Sequence, residues 1–278
     1  MQRAKAMAAN RAEHKPRRIA VILGTGGSGR NLLNLVMPLL ARDREIEMQG
    51  VFLEEAEVQH AAELPFVKEL CRVTFSVREF TSDQFERSLV LRMRTAERAL
   101  SVLARRTGVA HSFRNVRGPV VRLLRETARA SDITVFEPTR RLGATAPSPI
   151  GGQRSRQPIV VAVSDLESGR RALLAAGHLA AGQPNRICIL ATGEAAEKAS
   201  ALSSLCQQEL AALPARVQLV PSEAGIGAMI DAAHAAGAGL FVIAATDELL
   251  EPATLQSLRD RLRCPICLVR QWDAVLGT

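Results

Sequence analysis

Residues 19–33 read IAVILGTGGSGRNLL, and residues 159–173 read IVVAVSDLESGRRAL. The two stretches align without a gap at an offset of 140 positions, so that Ser28-Gly29-Arg30 falls on Ser168-Gly169-Arg170. Each begins with a run of aliphatic residues, passes through a short loop of small or polar residues, and continues in a leucine-rich helical pattern. That is the opening strand–loop–helix step of an α/β domain, used twice in one chain. The loops differ in chemistry. The first is glycine-rich, Gly24-Thr25-Gly26-Gly27-Ser28-Gly29, and the second carries Asp165 and Glu167.

Working outward, the first repeat predicts strands over 19–23, 48–53, 73–80, 111–116 and 132–136. Its helices are expected over 31–42, with an irregularity near Pro38, then 56–70, 83–107 and 119–130. In the 83–107 helix the apolar stripe is read as Phe85, Leu89, Leu91, Ala96, Leu100 and Leu103, with Gly108 as its stop. The second repeat predicts strands over 159–163, 187–191, 217–220, 240–244 and 266–269, and helices over 169–181, 194–212, 225–236 and 252–262. Strands alternating with such helices imply a parallel sheet with helices on both faces. A second correspondence, Gly118 onward against Gly225 onward, has an offset of 107. The first repeat is therefore longer by 33 residues in its middle, enough for an extra strand and a longer second helix. The organisation is a disordered basic tail (1–17), a first repeat (18–138) without an evident last helix and strand, a Pro/Gly/Arg-rich linker (139–157), and a second repeat (158–272).

Composition agrees with this architecture. Of 278 residues, 47% are apolar and only 3% aromatic, which suits a core of Ala, Val, Leu and Ile between helices and a parallel sheet. The formal net charge of +8 is unevenly spread. The tail 1–18 carries six Lys/Arg against one Glu, and the linker four Arg against no acid, whereas residues 158–278 carry nine basic and 12 acidic residues. A basic tail of this kind is a solvated segment or a contact for nucleic acid or anionic lipid. Five widely spaced cysteines and no signal peptide lead to an expectation of reduced thiols and a cytoplasmic protein. No apolar run is long enough for an integral membrane segment.

The order of elements and the closing Cys264-Pro265-Ile266-Cys267-Leu268-Val269-Arg270 resemble the universal stress protein family in its tandem two-domain form. That resemblance implies two Rossmann-like domains of the adenine nucleotide alpha hydrolase-like type, packed as an internal pseudo-dimer. It also implies pairing through last strands, of which the first repeat shows none. Members of that family divide into nucleotide binders and non-binders. Binders resemble one another in an acid after strand one and a glycine-rich loop with a final hydroxyl residue after strand four. In the second repeat Asp165 sits near the acidic position, but the loop after strand four, Ala245-Thr246-Asp247-Glu248-Leu249-Leu250-Glu251, has no glycine and three carboxylates. In the first repeat Gly24 and Thr25 take the acidic position, and Arg140 and Arg141 follow strand four.

Gly24, Gly26 and Gly29 also satisfy G-x-G-x-x-G between a strand and a helix, a pattern whose backbone amides can close around phosphate. Glu54, ending strand two, stands 30 residues on from Gly24 as a candidate ribose acid, a longer separation than usual. The candidate site is therefore Gly24, Thr25, Gly26, Gly27, Ser28, Gly29, Glu54, Arg140 and Arg141, with ATP or another phosphate compound as its ligand. The competing reading is a tight turn that lets the helix pack closely on its strand.

Other motifs point to structure rather than chemistry. Cys264-Pro265-Ile266-Cys267 enters a strand instead of opening a helix, so its two thiols should face opposite sides of the sheet. His60, His111, His178 and His234 are scattered and form no metal set with the cysteines. Ser28 and Ser168 have no identifiable base and read as helix caps. The arginine-dense 87–106 stretch is a solvated face or a docking surface. The expectation is a non-catalytic stress-response or regulatory protein that binds a protein partner, itself or another, with no cofactor required. The alternative is a nucleotide-responsive sensor using the first repeat.

Overall fold

The computed structural model describes residues 16–24, 29–41, 45–55, 60, 64, 68–70, 76–79, 82–139, 157–181, 187–210, 213–221 and 225–273. The first repeat runs β1 (Arg17–Gly24), α1 (Gly29–Leu40), β2 (Ile46–Glu55), β3 (Lys68–Leu70), β4 (Val77–Glu79), α2 (Ser82–Thr107), β5 (Ala110–Gly118), α3 (Val120–Ala130) and β6 (Ile133–Phe136). The second runs β7 (Ile159–Val163), α4 (Leu166–Ala180), β8 (Ile187–Ala191), α5 (Gly193–Glu197), α6 (Ala199–Leu210), β9 (Ala215–Leu219), α7 (Gly225–Ala235), β10 (Leu240–Ala244), α8 (Pro252–Arg261) and β11 (Ile266–Val269).

Nine strands form one sheet in the order β5-β2-β1-β6-β11-β10-β7-β8-β9. Every neighbouring pair is parallel except β6 and β11, which run antiparallel with Ile133 opposite Val269 and Phe136 opposite Ile266. The position beside β6 that a fifth strand of the first repeat would take is thus held by the last strand of the second. The join is between a fourth strand and a last strand, not between two last strands.

Side-chain alternation on the strands sorts the interior into two layers. Ile19, Val21, Val161 and Val163 face the layer of α1, α2, α4 and α6, and Ile22, Val160, Phe241 and Ile243 face that of α3, α7 and α8. Both layers cross the join, where α1 packs on α4 and α3 on α8. The 33-residue excess of the first repeat is visible in α2, 26 residues against 12 in α6, and in the separate antiparallel pair β3–β4.

The structure differs from expectation at five places. Strand β1 begins at Arg17, so that residue belongs to the fold and not to the tail. Most of 56–70 lies outside the described residues, but its end, 68–70, is a strand rather than helix. Pro38 sits inside α1 near its C-terminal end, where it does not end the helix. Leu91 is 64% exposed, whereas Leu100, Leu103 and Ala104 are buried. The expected 194–212 helix is divided at Lys198 into α5 and α6. Gly108 does end α2, at φ +72°, a conformation that costs glycine least.

The start and end of the described chain are tied together at the join. The Asp132 carboxylate accepts from the Arg18 amide (2.7 Å), and the Asp132 carbonyl accepts from the Arg270 amide (2.8 Å). Trp272, 2% exposed, donates its Nε1–H to Nδ1 of His178 on α4 (3.1 Å), and the Arg17 guanidinium lies 4.9 Å from the indole ring centroid. Trp272→Ala should destabilise the chain by about 3–5 kcal/mol, because a buried aromatic and its polar partner are both lost. Urea unfolding followed by far-UV circular dichroism measures this.

A Cβ on Gly29 would approach Cδ2 of Leu23 to 2.7 Å, and one on Gly169 would approach Cγ1 of Val163 still more closely. These matched glycines let α1 and α4 lie on β1 and β7. The leucine end can swing away, whereas valine is stiff at χ1. Gly169→Ala should therefore cost about 1–3 kcal/mol and Gly29→Ala distinctly less, measured in the same unfolding experiment.

Candidate functional site

Ligand crevices of open α/β sheets lie beyond the C-terminal ends of the strands where strand order reverses. Here those points are β1/β6 and β7/β10. Because the two halves join antiparallel, the two crevices open at opposite ends of the sheet.

At the first, Gly24 ends β1 opposite Leu53 of β2, and Gly29 opens α1. Thr25, Gly26, Gly27, Ser28, Arg140 and Arg141 lie outside the described residues. Of the candidate site, the structure therefore places Gly24, Gly29 and Glu54. Glu54 is one residue beyond Leu53, and its Oε1 accepts from Nδ2 of Asn115 on β5. That contact holds the carboxylate toward the β5 side of β2, the side away from β1. After β6 the chain is held to α8, with the Thr139 amide donating to the Arg259 carbonyl (2.8 Å).

At the second crevice five of the seven backbone amides from Ala245 to Glu251 donate within the protein. Between β10 and α8, the amide of Ala245 donates to Val269 (2.8 Å), Thr246 to Ala244 (3.1 Å), Leu250 to Thr246 (3.0 Å) and Glu251 to Glu248 (3.3 Å). The Leu249 amide donates to Oγ1 of Thr246 (3.2 Å). Leu249 and Leu250 are buried and turn the loop inward, and Asp247 pairs with Arg129 of α3 (3.3 Å). A phosphate cradle needs unspent amides and positive charge. Most of this loop's amides are spent and its side-chain charge is acidic, so it is a poor cradle for a nucleotide phosphate.

Asp165 is likewise committed. It is the N-cap of α4, accepting from the Ser168 amide (2.8 Å) and also from the Ser168 hydroxyl, while Ser164 donates to it (3.2 Å). The cap is thus Asp165, and Ser168 is its donor rather than a cap itself. Acid at the position just before a helical pattern was the readable signal. Burial opposes the Asp165 charge, but the hydrogen bonds from Ser168 and Ser164, with Arg171 nearby, prevail and hold its pKa below the ordinary carboxylate value.

Among the described residues Cys188, Cys206, Cys264 and Cys267 are buried. Cys264, in the bend before β11, and Cys267, on β11, lie in opposite core layers. Burial pushes the Cys267 thiol up to about 12 and raises those of Cys188 and Cys206. Among the described residues no group of three or more His, Cys, Asp or Glu could hold a metal ion, and no helix is long and apolar enough to cross a membrane. Burial and the charge of Arg263 lower the pKa of His234.

Two outcomes follow from these groups. Because the folded pKa of Asp165 is depressed, its contribution is present above the unfolded value near 4 and is lost as pH falls through the folded value. Asp165→Ala should cost about 1 kcal/mol at pH 7 and progressively less below pH 4, by urea unfolding at both pH values. The raised thiols favour the neutral form, so native Cys188, Cys206 and Cys267 should resist iodoacetamide at pH 8, with labelling read by peptide mass spectrometry and gained on denaturation.

No protein-family model and no curated protein matches the chain. Among solved structures it is similar to a universal stress protein from Archaeoglobus fulgidus DSM 4304, at 11% identity over 91% of this chain and 97% of that one, with a TM-score of 0.46. It is also similar to a universal stress protein solved in complex with cAMP, at 18% identity over 42% of this chain and 98% of that one, with a TM-score of 0.33. A Mycobacterium tuberculosis H37Rv protein follows at 19% identity over 31% of this chain and 69% of that one, with a TM-score of 0.28.

Proposed function

We propose that the protein is a regulatory member of the universal stress protein type, acting in a stress response by binding a partner rather than by catalysis. The observation that carries this reading is the β10–α8 loop, where five of the seven amides are spent internally and the side-chain charge is acidic. A repeat closed in this way retains the fold as a scaffold and presents surfaces rather than a pocket. Cys188, Cys206, Cys264 and Cys267 are buried in the fold, which also supports a role without thiol chemistry.

One observation favours a second reading. In the first repeat β1 ends in Gly24 at a reversal of strand order, and α1 opens five residues later with a glycine-rich segment between them. One structural neighbour was solved in complex with cAMP. On this reading the first repeat senses ATP or a related phosphate compound.

Thermal unfolding with and without nucleotide separates the two. A ligand at about 100 times its Kd stabilises by about 2.7 kcal/mol, a rise on the order of 5 °C for a chain of this size. The leading reading predicts no shift with about 1 mM ATP and magnesium, or with cAMP. A shift that disappears in an R140E/R141E double variant would establish the sensor instead.

A further inference from the structure

The outer face of the first repeat carries a groove of about 440 Å³ between α1 and α2. Leu33 and Met37 of α1 and Val102 of α2 line its apolar part, and Arg30, Arg98 and Arg106 rim it. Val102 is 54% exposed, unusual for an isolated valine in the middle of a charged helix. On α2, Thr95, Arg98, Val102 and Arg106 recur at three- and four-residue spacing, so they share one face. The two arginines stand eight residues apart, about 12 Å along the axis, with the valine midway.

Some surface arginines meet carboxylates, as in Arg122–Glu126, Arg129–Asp247, Arg170–Glu209 and Arg261–Asp231, and others on α2, such as Arg94 and Arg105, do not among the described residues. Among the described residues, none of Arg30, Arg98 and Arg106 forms an ion pair. Three like charges around an apolar floor complement an occupant that brings both carboxylates and an apolar anchor. A groove between two packed helices takes the apolar face of a third helix.

We propose that the α1–α2 groove binds an acidic amphipathic helix of a partner protein. Two carboxylates about two turns apart on that helix would meet Arg98 and Arg106, and an apolar residue between them would cover Val102. The chain's own N-terminal segment does not match, since residues 1–15 carry Arg3, Lys5, Arg11 and Lys15 against Glu13. A nucleic acid backbone would leave the apolar floor uncovered. The proposal rests on the partner-binding reading and gives it a surface and a partner chemistry.

The test uses the full chain and a fluorescein-labelled helical peptide of 18 residues, with two glutamates eight residues apart and a leucine midway. A second peptide carries lysines in place of the glutamates. Fluorescence anisotropy should show saturable binding of the glutamate peptide, weakening as NaCl rises. R98E/R106E and V102D should each weaken it at least about tenfold with unchanged melting temperature, because all three side chains are at the surface. The lysine peptide should bind R98E/R106E and not the original chain. No saturable binding up to about 1 mM, or equal binding by the variants, overturns the proposal. So does binding confined to phosphatidylglycerol vesicles, or self-association by sedimentation that R98E/R106E abolishes. A cellular partner retained equally by the original chain and R98E/R106E would remove the groove and leave the partner-binding reading. A chain that retains no specific partner would remove both.

Discussion

The antiparallel pairing of β6 with β11 is the constraint on which the rest of the structure depends. Each half of the sheet alone would expose a buried-type strand, Ile133–Phe136 or Ile266–Val269, with unpaired backbone groups. Their union removes both edges and lets the two helical layers run unbroken across the join. Asp132 and Trp272 then lock the pairing from one side, since each contacts residues of both repeats. The repeats are therefore not independent beads. Their cores are shared, and the free edges of the sheet are β5 and β9.

The same pairing sets the functional geometry. Because one half is turned end for end relative to the other, the two crevices cannot cooperate on one ligand. Each must be judged on its own loop. At the second, hydrogen-bond accounting weighs against a ligand: five of the seven amides from Ala245 to Glu251 have partners within the protein, and Asp165 holds the helix behind it. The strand–loop–helix step survives there as a structural device, with Gly169 kept so that α4 can sit close on Val163. Gly29 serves α1 in the same way, which accounts for one glycine of the first loop without any ligand.

Much of the fold was legible because parallel strands buried on both faces are continuous aliphatic runs. The bounds of β7, β8, β10 and β11 follow directly from such runs. Legibility failed where burial was one-sided or local pattern was weak. Leu91 stands about 120° round the helix from Leu103 and is exposed, whereas Leu89, Met93 and Ala96 of the same half of α2 pack against the core, so the stripe runs through Met93 rather than Leu91. The 56–70 stretch carries no clean period, and its described end, 68–70, pairs as a strand with β4. The candidate site was legible as a glycine pattern, but Glu54 shows the weakness of spacing alone: its carboxylate is engaged by Asn115 on the neighbouring strand.

By itself the sequence determined the repeated α/β module, the position of its strands and the acidic character of the second crevice, since these depend on local side-chain type and order. Only the tertiary structure decided that a fourth strand meets a last strand, that the amides of Ala245, Thr246, Leu249, Leu250 and Glu251 are already bonded, and that Arg30 joins Arg98 and Arg106 around one apolar floor. Those three facts depend on which distant segments come into contact. Hydrogen-bond satisfaction and charge neutralisation are settled by such contacts, not by neighbours along the chain.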